Sequence, residues 1–562
     1  MNHTSSLSWR SLLNIGLLAG LAIVYTGLIG MIQVFSERGI IAGVLTMGQI
    51  MIFLPPLVAG YMAARRSREQ GAGRMILNAG LAGLIAAVLP VILVLLIRQL
   101  DVMGVDIRSM FVNASKALID HLTFERGIGP GLAMLVGFMT ALGLAGGALM
   151  ALPERIRQTL ITGTTWVIGI GLLSEFMIQI LRNLFGNQAG RSIFQAGALK
   201  PIPALIIFIV TAGIYYFWQL QGANIRARYA RSGEGTKQTF QRTSVGLLGI
   251  LLLMLPWIVG TFLSEVLANV GLYVLMALGL NIAVGLAGLL DLGYVTNFAV
   301  GAYVMGALTS TGPLGLAELN FWIVLPISVL AAMTTGFLLA LPVLRMRGDY
   351  LAIATLGFGE IIRLLALSDW LAPYIGGAQG ILFIPKPHIG SLTIDTPETF
   401  YYLILAACFI MLFISIRLNN SRTGRQWMAM REDEDAAGAM GIDTTLAKLL
   451  AFTLSAASGG LAGAIFASKL GAIFPHSFSL LISINVLSII IVGGMGSIPG
   501  IVVGALALIG LPELLREFSD YRLLLYGALL IIMMLVRPEG LWPSAVRRRE
   551  LQSDAAEAAA AD

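Results

Sequence analysis

Charge is what this sequence has least of. Asp, Glu, Lys and Arg together make up 12% of the 562 residues, where a soluble domain carries roughly 25%. So little polar surface cannot coat a water-soluble globule. Cysteine is almost absent: the single Cys408 lies inside an apolar run, which excludes an intrachain disulfide. Histidine is scarce as well. His3, His121, His388 and His476 are scattered, and none stands at metal-ligand spacing from another or from Cys408, so a catalytic zinc site is excluded. A phosphate-binding loop is also missing. The nearest approach, Gly233-Glu-Gly235-Thr-Lys237, lacks the G-x-x-x-x-G-K-S/T spacing, so energy must come from another polypeptide or an ion gradient. No clustered acid/base set suggests a membrane enzyme.

What the chain has instead is apolar length. Apolar residues make up 57% and glycine contributes 65 of 562 positions, a residue commoner in membrane helices than in soluble ones. The reading is an all-α, polytopic transmembrane helical bundle. With about 20 apolar residues per span, six spans fit near 12–35, 39–63, 75–97, 130–152, 159–181 and 203–220. Ten more fit near 244–263, 266–287, 292–311, 320–343, 351–368, 400–417, 447–468, 480–497, 499–514 and 521–536, a total of about 16 (6 + 10). The segment 351–368 carries Glu360 and Arg363 and is the one read as broken or re-entrant. The stretch 12–35 is long enough to span and shows no small-residue cleavage pattern, so it is read as a retained first span.

The net charge of +6 does not point to nucleic acid, because the basic residues sit in short clusters between apolar runs. Such clusters prefer the cytoplasmic side. With the N-terminus inside, alternation along the chain puts 23 of the 36 basic residues in inner loops and 12 in outer ones, leaving Arg363 within a span. Both termini are therefore expected in the cytoplasm of a bacterial-type inner membrane. The polar, basic segment 221–243 separates an N-terminal six-span unit (1–220) from a ten-span unit (244–540), and a cytoplasmic tail (541–562) turns acidic and alanine-rich after Arg549.

Four stretches of the second unit concentrate the information. Residues 281–303 read NIAVGLAGLLDLGYVTNFAVGAY, and 344–363 read LRMRGDYLAIATLGFGEIIR. The loop 418–446 reads NNSRTGRQWMAMREDEDAAGAMGIDTTLA, and 493–500 read GGMGSIPG. In the loop, an acidic run precedes an alanine-glycine stretch. That pattern suits a short helix with a charge-matched N-terminus, ended by Gly441; on composition alone, a solvated connector fits equally. Glu360 and Arg363, three apart, share a helix face and can pair, anchoring their span or meeting a zwitterion, the anchor being favoured. Asp291 is expected to cap the helix that follows rather than bind substrate. Glu175 is read as a bundle contact rather than a proton carrier. The glycines, Gly285, Gly288, Gly293, Gly301, Gly459, Gly460, Gly463, Gly493, Gly494, Gly496, Gly500 and Gly504, permit close helix approach or broken helices around a midplane path.

In these phrases the sequence resembles the permease subunits of ABC transporters for branched-chain amino acids, of the leucine/isoleucine/valine type. The resemblance covers roughly 245–545 and not the first 240 residues; one local departure is Thr296-Asn297. It implies an ATP-driven importer for branched-chain or other neutral amino acids, with an alternating-access pathway. No cofactor is expected on this chain, ATP and Mg being held by partner ATPase subunits. A second permease subunit, an extracytoplasmic substrate-binding protein and membrane lipid are the other expected partners. By the same resemblance, Glu432, Asp433, Glu434, Ala436, Ala437, Gly438 and Gly441 form the coupling segment that docks on the ATPase, its acidic flank meeting basic groups there. Asn281, Asp291, Tyr294, Asn297, Phe298, Thr355, Glu360, Arg363, Gly493 and Gly494 are candidate pathway or helix-packing residues. The alternatives are a permease of the same type for urea or short amides, and an ion-coupled secondary transporter using Glu175 and Glu360.

Overall fold

The computed structural model of the chain describes residues 8–104, 111–230, 234–344, 346, 348–514, 521, 524, 527, 530, 531 and 540–543. Most of the expected span 521–536 lies outside these residues, as do the tail after Arg549 and the topology residues Arg108, Arg231, Arg345, Arg347, Arg516, Arg522, Arg537, Arg547, Arg548 and Arg549. The chain divides into two compact units, Met1–Gly249 and Ile250–Asp562.

The first unit contains α1 (Trp9–Leu28), α2 (Met47–Arg66), α3 (Ala72–Val102), α4 (Ile128–Ala151), α5 (Glu154–Leu172), α6 (Ser174–Phe185) and α7 (Pro201–Ala230). Local chemistry sets their starts. Ser8 Oγ accepts from Ser11 N at the head of α1, and Thr46 and Gln49 cap each other at the head of α2, satisfying N–H groups that a helix leaves open. Glycine sets the packing of α2 and α3 on α4. A Cβ at Gly60 would lie 2.2 Å from the Gly143 carbonyl oxygen, and one at Gly83 would lie 2.4 Å from that of Met139. The backbones touch, as small-residue interfaces in membranes allow.

Three of the first six expected spans differ from the structure. The one expected at 12–35 stops at Leu28, and a separate short helix, Met31–Ser36, follows the turn at Gly30, where φ is +91°. The span expected from residue 39 starts at Met47, because 39–46 form β1 (Gly39–Ile41) and β2 (Leu45–Thr46) around Gly43 at φ +69°. With β3 (Phe194–Gln195) and β4 (Ala198–Leu199) they make a small sheet in the order β2-β1-β4-β3. The segment expected at 159–181 is not straight: α5 and α6 meet at 77°. Past Leu173 the sequence carries Glu175, Gln179, Arg182 and Asn183, too polar a run to continue a buried span.

The unit boundary falls within α8 (Glu234–Asn281), which is broken at Gly260, where φ is +76°. The second unit continues with α9 (Val295–Thr309), α10 (Phe321–Val343), α11 (Asp349–Leu367) and α12 (Pro397–Asn419). Then come two short helices, α13 (Arg422–Glu432) and α14 (Glu434–Ala439), followed by α15 (Thr444–Leu470), α16 (Leu480–Gly493) and α17 (Ile498–Ala505). The helix α15 is the centre of this unit. Gly463 faces the Phe298 carbonyl of α9, where a Cβ would come to 2.0 Å, and Gly460 faces Ala332 of α10 at 2.4 Å. Segment 351–368, expected as broken or re-entrant, is a continuous helix.

Among the described residues, eleven helices are long and apolar enough to cross a membrane, or twelve with the bent pair. Of the sixteen expected segments, 244–263 and 266–287 both fall within Arg242–Leu286, a stretch of 45 residues that the break at Gly260 divides, and most of 521–536 falls outside the described residues. Those at 292–311 and 499–514 hold shorter apolar helices, Val295–Thr309 and Ile498–Glu513. The architecture remains an all-α polytopic bundle with small strands at its edges.

At the far end of α15, Lys469 Nζ bonds Glu265 Oε1 at 2.7 Å and Asn269 Oδ1 at 2.6 Å. The loop 380–396 closes over the same end, with Ile381 and Ile473 exchanging backbone bonds of 3.0 and 2.9 Å. Lys386 on that loop donates to the Lys469 carbonyl. Burial first, and the charge of Lys469 second, hold Lys386 below the ordinary lysine value.

Candidate functional site: a broken span and the segment tied to it

After Asn281 the helix loosens into a π-helical turn, Ile282–Leu286, and then stops. Gly288, at φ +71°, turns the chain where a side chain would strain it. Asn281 holds the break from one side: its Oδ1 accepts from Gly496 N at 3.0 Å. A Cβ at Gly285 would come within 2.0 Å of that same oxygen, so only glycine fits. Gly493 and Gly494 sit on the same side. Gly494 has φ +117°, and a Cβ at Gly493 would lie 2.2 Å from the Gly500 carbonyl oxygen.

The chain from 287 to 294 is held by side chains distant in sequence. Thr355 Oγ1 on α11 accepts from Leu292 N at 3.0 Å, and Ser483 Oγ on α16 accepts from Val295 N at 2.9 Å. The Tyr294 hydroxyl, fully buried, meets Ser458 Oγ on α15 at 2.8 Å. Asp291 does not cap α9. Its Oδ1 accepts from Gly293 N at 2.9 Å, forming a turn ahead of the helix, because Tyr294 and not Asp291 holds the N-cap position. Ser458 and Ser483 escaped sequence reasoning. Serines in an apolar run carry no local signal of a partner 164 or 188 residues away.

The candidate coupling segment lies against this break. Asp433 Oδ1 accepts from Asp435 N and Ala436 N, both at 2.9 Å, and so caps α14. Glu434 pairs with Lys448 Nζ at 2.7 Å, and Lys448 also donates to the Leu344 carbonyl at 3.2 Å. Trp427, fully buried, donates from Nε1 to the Ala447 carbonyl at 2.8 Å. The expected acidic flank is thus partly committed within the chain. Ala437 is also turned inward, only 4% exposed, so it belongs to the segment's support and not to an outer face. Glu432, Ala436, Gly438 and Gly441 are exposed, with Gly441 at φ +84°; Met440 beside them is 84% exposed.

Arg431 joins the two regions. Its Nη1 donates to the Gly285 carbonyl at 2.6 Å, and its side chain fills the space that a Cβ at Gly288 would need, 2.8 Å from Cγ. The last carbonyls of a helix have no partner within it, and the guanidinium, a multiple donor, takes one of them. One arginine of the exposed segment therefore holds the carbonyl at which the span breaks.

Along α9 lies a different kind of feature. Thr296 Oγ1, Asn297 Oδ1 and Tyr303 OH are buried without a hydrogen-bond partner among the described residues, a costly condition in an apolar surrounding. Thr296 and Tyr303 border one small cavity together with Gly359 and Arg363 of α11. Asn297 borders another with Asp291 and Thr355. Phe298 points elsewhere, its ring 5.1 Å from Phe466 and 5.6 Å from Phe478. Glu360 and Arg363 pair with each other, Arg363 Nε lying 3.0 Å from each carboxylate oxygen. Among the described residues they bond no neighbouring helix, so the favoured anchoring role has no bond to carry it. Both lie in the second half of α11. Glu175 is exposed just past the bend between α5 and α6.

Residues 262–534 match the family described as the permease component of the branched-chain amino acid transport system. The high-affinity branched-chain amino acid transport system permease protein LivM of Escherichia coli K12 is 38% identical over 381 residues, covering 62% of this chain and 88% of the relative. The chain belongs to this permease family. LivM of Salmonella typhimurium is 37% identical over 377 residues, with 62% and 87% covered. LivH of Escherichia coli K12, named as another permease protein of the same system, is 25% identical over 301 residues, with 50% and 95% covered. No solved structure matches the permease. The family match begins just beyond the Gly260 break and takes in the broken span, the α13–α14 segment and the glycines at 493–500.

Proposed function

We propose that the chain is a membrane permease subunit of an ATP-driven importer for branched-chain or other neutral amino acids, moving them along an alternating-access path. ATP and Mg act on separate ATPase subunits, which dock on the α13–α14 segment. A second permease subunit completes the membrane part, and an extracytoplasmic binding protein delivers the substrate. The protein sits in a bacterial-type inner membrane with both termini inside. Family membership supports the substrate class, and the printed names of LivM and LivH support a paired permease. The observation that carries the mechanical half is the Arg431–Gly285 bond. A displacement of α13 by a docked subunit pulls on the carbonyl at the π-helical turn, where the span is weakest. The neighbouring Asn281–Gly496 bond passes the same displacement to the Gly493–Gly500 turn.

The deciding experiment is uptake of labelled leucine into vesicles carrying the chain with its ATPase, second permease and binding protein, with and without ATP. ATP-dependent accumulation is expected. ATP-independent uptake by the chain alone would reverse the reading in favour of an ion-coupled carrier.

A further inference from the structure

The buried polar groups around the N-terminus of α9 have a geometry that packing alone does not require. Asp291 is only 4% exposed, and its one hydrogen bond among the described residues uses Oδ1; no partner reaches Oδ2. Asn297, also 4% exposed, buries its Oδ1 with no partner among the described residues. The two side chains border the same cavity, and its remaining walls include Leu339, Phe358 and Phe452. Gly336 lies opposite: a Cβ there would stand in van der Waals contact with the Asn297 oxygen, at 3.5 Å. The lining thus combines a carboxyl group, an amide and a hydroxyl with aliphatic and aromatic side chains.

We propose that this cavity receives the amino acid in transit, its α-ammonium group held by Asp291 and Asn297 and its side chain lying against Leu339, Phe358 and Phe452. The inference rests on the import reading above and adds the residues that meet the substrate. A buried acceptor pair with no internal donor is expensive until a donor arrives, and an ammonium supplies three. Carboxyl groups within membrane spans normally face a partner or a watery path; here the partner is the cargo. As the spans stand, the cavity has room for about one water molecule. A leucine therefore enters only when α11 moves away from α9, breaking the Thr355–Leu292 contact. Thr355 also borders the cavity, so occupancy and the hold on the broken span are linked at one hydroxyl.

The test uses the complete importer in vesicles, with binding protein and ATP. Asp291→Asn and Asn297→Leu should each lower leucine uptake about tenfold or more, the scale of losing a charge-assisted contact, with the assembled complex recovered at wild-type yield. Leu339→Ala, which trims only an apolar wall, should change the leucine-to-valine uptake ratio about threefold or more in favour of leucine, since one methylene in a pocket is read at roughly that level or above. The binding protein is the same in every arm, so a changed ratio reports the permease. Near-normal uptake by both polar variants, or a ratio unmoved by Leu339→Ala, overturns the site while the import reading stands. Should the Asp291 variant fail to assemble, the Leu339 ratio still decides. Absence of leucine uptake by the wild-type complex instead removes the import reading, and this site with it.

Discussion

The two units bury polar side chains in opposite ways. In the first, the buried ones are satisfied close by: Ser67 and Thr123 donate to carbonyls four residues back, at 2.6 and 2.8 Å, and Ser174 bonds the Gly197 carbonyl. In the second, Ser264, Thr296, Asn297, Tyr303, Ser328, Ser415, Ser455 and Ser468 keep a buried oxygen with no partner, against Gln219 alone in the first, among the described residues. Both units use glycine for close backbone contact, so packing style does not separate them. What separates them is unused hydrogen-bonding capacity, gathered partly along α9 beside a span that breaks. A bundle that only had to be stable would gain nothing by leaving those groups open. A bundle that must admit a polar cargo needs them.

Breaking the shared feature should have the largest effect, equal in both units. Gly301→Val forces a Cβ to within 2.3 Å of the Gly460 carbonyl, and Gly60→Val to within 2.2 Å of that of Gly143. Each should cost about 3 kcal/mol or more, seen as loss of the monodisperse protein on size-exclusion chromatography. Next comes Lys448→Met, which removes both the pair with Glu434 and the bond to the Leu344 carbonyl at the foot of α15. A loss of about 2 kcal/mol is expected from the loss of these charge-assisted contacts; a thermal unfolding curve measures it.

The contrast itself is tested by a matched pair. Thr123→Val removes a made hydrogen bond and should destabilise by about 1 kcal/mol. Thr296→Val removes only an unused hydroxyl and should be neutral or stabilising by up to about 1 kcal/mol, yet should slow uptake. Equal destabilisation by both substitutions would erase the distinction. A modest loss is expected for Tyr294→Phe, about 0.5–1 kcal/mol, because Ser458 keeps its second bond to the Ser455 carbonyl at 2.8 Å.

The apolar runs were enough to place helices, since length and hydropathy are what a bilayer demands. They did not place the breaks. Nothing local marks Gly260 as a kink among so many glycines, and the bend at Leu173 becomes visible only through the polar residues that follow it. The motif phrases pointed to the right regions, but the faces within them depend on tertiary contacts. Ala437 is turned inward where α14 packs on the start of α15, and Asp291 stops short of the helix because Tyr294, three residues on, holds its N-cap position. Arg431 counted only as a topology charge in the sequence. Its role appears when α13 is folded back against Gly285, 146 residues earlier.

That contact is where the account is most exposed. In the reconstituted importer, leucine moved per ATP hydrolysed should drop about tenfold in Arg431→Ala, the worth of the one charge-assisted hydrogen bond that ties α13 to the broken span, while ATP hydrolysis continues. An unchanged ratio of leucine to ATP would show that the stroke reaches the membrane by some other route.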